Sequence, residues 1–294
     1  MTDMRNLTPL SLTLLILSLL LTACQSRAPE EAQSVITEPE PALQLGCRIN
    51  SYGAYQEAAW NHLPEIGIKH IFLNIPAAEE VENTKKRLTE HGLNVIVVRG
   101  DTDLSQESSL RELEAQLAIC QEMGAKYMFL SPKRHGASKE IIYDRLREAG
   151  DIAQRYGVTI VLETHPDLGT NGDVHLETMR QIDHPRVRVN FDTGNIHYYN
   201  EGTDAPTELR KIIDYVATVE IKDHNGLYND WNFPTLGQGV VDIPEVLNVL
   251  REHGYDGPVT MEIEGIEGVE WDEETTRQAI KDSVIYLRSL GQFD

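Results

Sequence analysis

The chain has 294 residues, 40% hydrophobic and 25% charged, an ordinary mix for a globular protein with room for one large domain or two small ones. Its formal net charge is -21, and no Lys/Arg cluster offsets it. Such a surface repels polyanions, so nucleic acid is not an expected partner.

In chain order the first element is the apolar run LSLTLLILSLLLTA, Leu10 to Ala23, behind a short segment whose only base is Arg5. It has the length of a signal-peptide core and is short for a spanning helix. Leu21, Thr22, Ala23 and Cys24 resemble the bacterial lipobox, which implies cleavage before Cys24 and a lipid on that cysteine. A plain signal peptide or an uncleaved anchor are the alternatives. Gln25, rather than aspartate, follows, which by the same resemblance permits the outer membrane in a two-membrane cell. The expectation is a lipid-anchored protein of the bacterial envelope that touches membrane through its lipid alone. The next stretch, QSRAPEEAQSVITEPEPA, has too few large apolar groups to pack. The expected division is therefore signal peptide over 1–23, flexible linker over 24–44 and folded domain over 45–294. Cys47 and Cys120 fall inside expected regular structure and read as buried free thiols rather than a disulfide.

From Leu45 onward, apolar strand-like runs alternate with amphipathic helical stretches. The strand candidates are CRIN from Cys47, HIFLNI from His70, NVIVVR from Asn94, KYMFLS from Lys126, TIVLET from Thr159, VRVNFD from Val187, ATVEIK from Ala217 and VTMEIE from Val259. A helix is expected from a Ser138 cap to Gly157, and others stop at Gly67, Gly92, Gly124 and Gly254. Strict β/α alternation implies parallel strands with helical crossovers. Eight units in about 250 residues fit a closed (β/α)8 TIM barrel better than an open sheet. No phosphate-cradling glycine loop follows any strand.

Strand parity then places the acids. With Val187, Val189 and Phe191 packing outward, Arg188, Asn190 and Asp192 face the barrel axis; Thr159, Val161 and Glu163 do likewise. With Ala217, Val219 and Ile221 outward, Thr218, Glu220 and Lys222 point in, and so do Thr260, Glu262 and Glu264. Four consecutive strands thus aim a carboxylate at one axis, near the C-terminal ends where barrel enzymes keep their chemistry. Their repulsion needs a cation, a proton or a base. A divalent metal is one answer, and an internal network using Lys222 and Arg188 is the other.

These stretches, VLETH (161–165), NFDTGN (190–195), VEIKDHNG (219–226) and LGQGVVDIPEVLNVLREHGYDGPVTMEIEG (236–265), resemble the xylose-isomerase-like barrels called sugar phosphate isomerases/epimerases. The resemblance runs from about Leu45 to the C-terminus. It implies a divalent metal held from strands five to eight by Glu163, Asp192, position 220 and Glu262, with Glu163 and Glu262 as paired acid/base groups. At position 220 members commonly carry histidine in H-x-K-D, whereas this chain reads Glu220, Ile221, Lys222, Asp223. An all-oxygen set favours manganese or magnesium, with calcium or zinc as further options, and weakened metal binding is the other consequence. Asn195 departs from the D-x-x-H of many members, including DNA-repair relatives, which speaks against endonuclease activity.

A metal-chelated carbonyl and hydroxyl acidify the intervening C–H, and a flanking carboxylate can remove that proton. The expected function is metal-dependent isomerisation or epimerisation of a small carbohydrate. The alternatives are a lyase or hydrolase of 3-keto glycosides on the same site, or a non-catalytic carbohydrate-binding lipoprotein. Substrate-binding candidates are His165, Lys222, His224, Arg99, Asn50 and His135, with Arg48 and Asn74 also near the mouth. The loops HYYN (197–200) and LYNDWNFP (227–234) bring rings that either stack on a sugar or pack beneath a loop. Homo-oligomerisation is open.

Overall fold

The computed structural model describes residues 43–291 and Phe293. The expected signal peptide, the Cys24 lipidation site and the linker up to residue 42 lie outside the described residues. Among the described residues no helix is long and apolar enough to cross a membrane.

The chain runs β1 (Leu45–Arg48), α1 (Gln56–Glu65), β2 (His70–Asn74), α2 (Val81–His91), β3 (Asn94–Arg99), α3 (Ser109–Met123), β4 (Tyr127–Leu130) and α4 (Lys139–Tyr156). It continues through β5 (Thr159–Glu163), α5 (Gly172–Ile182), β6 (Val187–Asp192), α6 (Thr193–Tyr199), α7 (Ala205–Ile212), β7 (Val216–Ile221), β8 (Asn232–Phe233), α8 (Ile243–Glu252), β9 (Val259–Met261), β10 (Gly265–Ile266) and α9 (Glu273–Leu290). Strands β1 to β7 and β9 close a parallel barrel, in which Gly46 pairs with both His70 and Thr260. All eight expected barrel strands are present. The short pair β8 and β10, which the sequence pattern did not announce, forms a separate antiparallel ladder.

Outward strand side chains such as Val187, Val189, Phe191, Val219 and Met261 are buried under the helices in one continuous apolar layer. Helix starts follow from side-chain caps: Ser138 accepts from the Ile141 N–H, Asp242 from Glu245 and Asp272 from Thr275. Cys47 and Cys120 are buried and free, as expected.

Inside the barrel, Phe72, Ile96, Val97, Phe129 and Val161 form a smaller apolar plug, with Tyr127 and Ala217 packed on it. Ala217 corrects the parity reading, which sent it outward. The β6/β7 register shifts between Val189 and Asn190, so Ala217 is skipped in the ladder, and alternation resumes at Thr218. The plug is the floor on which the polar site stands.

Candidate functional site

Asp192 is the last residue of β6 and pairs in register with Glu220 of β7, while Glu220 pairs with Thr260 of β9, two residues before Glu262. This register stacks three acids at the C-terminal mouth. Asp192 and Glu220 are fully buried, and Glu262 nearly so. Each offers an oxygen within 4.8 Å of the others, so the three could hold a metal ion. Glu163, the fourth acid of the sequence reading, ends β5 outside that group. It is half-buried, and its carboxylate makes no hydrogen bond or ion pair with the described residues.

Two cations share the mouth. Arg48, buried at the end of β1, places Nη1 2.6 Å from Glu262 Oε1 and 3.3 Å from Glu220 Oε1. Its guanidinium lies 4.8 Å and 5.0 Å from the ring centres of Phe72 and Phe129, on the apolar floor. Lys222 Nζ lies 2.6 Å from Glu264 Oε2, 2.7 Å from Glu262 Oε2 and 3.3 Å from Asp192 Oδ2. The internal network weighed from the sequence therefore exists around Lys222, but its second base is Arg48. Arg188 instead donates to the carbonyls of His184 and Val187 at the opposite end of the barrel.

The titration behaviour follows from burial set against these cations. Burial pushes the Asp192 carboxyl up to about 7, with Lys222 pulling back only part of the way. Burial raises Glu220 too, reinforced by Glu262 and opposed by Arg48. Burial would also raise Glu262, yet Arg48 and Lys222 outweigh it and hold this carboxyl below its usual range. Lys222 is desolvated, but Asp192, Glu262 and Glu264 hold its ammonium well above the ordinary value. Four carboxyl groups meet two cations here, and a divalent ion among them would favour the ionised forms of Asp192 and Glu220 that burial now opposes. Asp192 Oδ2 and Glu262 Oε2 are buried without a hydrogen bond of good geometry, and meet Lys222 as ion-pair partners alone. In kind and number the donors fit a hard cation.

The loops are fixed by the neighbouring motif. Asp223 turns away from the axis and accepts from the N–H groups of Gly237, Gly239, His224 and Val241, joining the β7 end to the segment before α8. A Cβ on Gly239 would fall 2.2 Å from Asp223 Oδ1, which is why that position is glycine. His224 is spent on this loop: it is buried, accepts from the Gly226 N–H and meets the Asp230 carbonyl. Rings from the two aromatic loops pack on each other, with Tyr198 against Trp231 and Phe233, while the β8/β10 ladder ties the second loop to the segment after β9.

The remaining candidates are spread around the rim. His165 is half-buried, bonded to the Pro166 carbonyl and edge-on to Tyr199 at 5.0 Å. Arg99, at the end of β3, adds its positive charge to those lowering Glu262. Asn50 Oδ1 has no hydrogen-bond partner among the described residues, and Asn50 lines a cavity of about 320 Å³ together with Glu264, Ile263, Trp231 and Trp271. His135 is exposed in the loop after β4. The sequence places Arg48 near the mouth and Glu264 on the inward face without pairing either with the acids or with Lys222, and Asn195 stands out in it only as a departure from pattern.

Residues 59–290 match the family described as xylose isomerase-like TIM barrel. The chain belongs to that family. An inosose dehydratase of Halalkalibacterium halodurans is 26% identical over 191 residues, 54% of this chain and 62% of that protein. The chain spans about half the length of the curated relatives it matches first. Among solved structures, 3-keto-D-glucoside 4-epimerase, YcjR, from E. coli superposes with a TM-score of 0.66 at 19% identity, covering 84% of this chain and 99% of that one. The IOLI protein with a bound zinc atom superposes at 0.67 and 20% identity, covering 84% and 98%. At these identities the superpositions establish the fold.

Proposed function

We propose that this protein is a sugar isomerase or epimerase that removes and returns a proton on the carbon next to a carbonyl. Glu163 carries this reading, as the strand-end acid that stands half-open at the mouth with its carboxylate unpaired among the described residues. Such a group keeps its lone pairs for a substrate proton, while the neighbouring acids are tied to cations. Arg48, Lys222 and Arg99 supply positive charge in a desolvated setting, where it most favours a developing enediolate. Glu262, kept ionised by Arg48 and Lys222, holds these two cations at the mouth.

When bound, a divalent ion, magnesium or manganese for an oxygen donor set, polarises the carbonyl and its adjacent hydroxyl. Asp192, Glu220 and Glu262 would hold it. The names of the relatives, an inosose dehydratase and a 3-keto-D-glucoside 4-epimerase, support a carbohydrate substrate, and the second supports a keto one. The dehydratase name also favours a second reading, elimination from the same carbanion, which uses the same base. Export with a lipid on Cys24 belongs to this proposal and places the substrate outside the cytoplasm.

The test is product analysis by NMR on a panel of ketoses, inososes and 3-keto glycosides, with wild type and Glu163→Gln, with and without added Mn²⁺. A new epimer, isomer or dehydrated product that disappears in the variant supports the reading. No product from any member of the panel counts against it.

A further inference from the structure

The stretch D-T-G-N, Asp192 to Asn195, has one common target. Asp192 Oδ2 lies 3.3 Å from Lys222 Nζ, and Asn195 Oδ1 accepts from the same nitrogen at 3.2 Å. The Thr193 hydroxyl takes the Lys222 N–H at 2.9 Å and donates to the Lys222 carbonyl at 2.7 Å. Gly194 leaves room for the stem: a Cβ there would stand 2.7 Å from Lys222 Cγ and 2.8 Å from Cδ. Every residue of the stretch thus fixes Lys222, and Glu262, Glu264 and the Phe233 ring, 4.6 Å from Nζ, close the cage.

We infer that the Lys222 ammonium and a divalent metal ion are alternative occupants of one place between Asp192 and Glu262. This rests on the metal-assisted reading above. A metal bonds carboxylate oxygens at about 2.0–2.6 Å. Asp192 Oδ2 and Glu262 Oε2, buried and without a hydrogen bond of good geometry among the described residues, already converge on Nζ, so an ion bound there would sit within a few ångströms of the ammonium. Two cations that close repel strongly in a buried site. Metal entry therefore requires Lys222 to leave its cage, and Lys222 sets the metal affinity.

Mn²⁺ binding by calorimetry to wild type, Lys222→Met and Gly194→Ala tests this. The first variant removes the competitor, and the second crowds its stem while keeping the charge. Lys222→Met is expected to bind at least about tenfold tighter than wild type, with Gly194→Ala between them. Lys222 is also expected to gain reactivity toward reductive methylation as Mn²⁺ saturates the wild type. Equal Mn²⁺ affinity in all three proteins would overturn this inference and leave the metal reading intact. No binding to any of them at millimolar Mn²⁺ would overturn both.

Discussion

Arg48 and Glu262 form an ion pair of 2.6 Å across the seam where β1 meets β9, tying the first barrel strand to the last inside the polar mouth. Both groups are nearly excluded from water, and Arg48 also faces both oxygens of Glu220 at 3.3 Å. A pair of this kind adds little net stability over an apolar substitute, but losing one member strands the other charge.

Arg48→Met should therefore lower stability by about 3–5 kcal/mol in urea unfolding. The double variant Arg48→Met/Glu220→Gln should recover part of this loss, because it removes one stranded carboxylate. A single variant as stable as wild type would show that the mouth does not depend on this cation.

Glu163→Gln should behave in the opposite way. No described residue forms a hydrogen bond or ion pair with the carboxylate, so the unfolding midpoint should hold, while turnover falls by about 10²–10⁴ if it is the base. Thermal melts and rates on the same preparation check the two halves together.

Much of this was legible in the sequence. Strand period and helix alternation suffice for the barrel, and period-2 parity puts Asp192, Glu220 and Glu262 on the axis, because these effects are local. Parity gives the face but not the height along the axis. Arg188 shares a face with Asp192 yet lies four residues earlier, about 13 Å down the strand, and reaches the far end. Arg48 could not be matched to Glu262 because their meeting depends on how the barrel closes. The Ala217 bulge was hidden for a similar reason, since a skipped residue shows only once two strands are paired.

His175 gives a pH prediction. It is fully buried beside the Thr164 hydroxyl, and burial pushes its pKa from 6.5 down to about 3. Below pH 6.5 the unfolded chain takes up a proton that the folded one refuses. The stability present above 6.5 is thus lost as pH falls toward 3, at up to about 1.4 kcal/mol per unit. Asp192 acts oppositely, costing stability as pH rises from 3.8 to about 7, so the His175 contribution must be isolated by difference. Between pH 6.5 and 4.5, His175→Gln should lose roughly 2–3 kcal/mol less than wild type. Parallel stability curves would contradict the assignment.

The anchoring proposal predicts that Cys24→Ser moves the protein from the membrane fraction to soluble or unprocessed material. Fractionation identical to wild type would remove the lipid from the account.

The central claim is proton transfer at carbon next to a carbonyl. The most direct measurement is deuterium incorporation from D₂O into keto sugars and 3-keto glycosides, followed by NMR before any net conversion. The account predicts exchange at the carbon adjacent to the carbonyl by wild type, and its loss in Glu163→Gln. A folded wild type that binds one of these sugars, with or without Mn²⁺, and leaves that C–H unexchanged would contradict it.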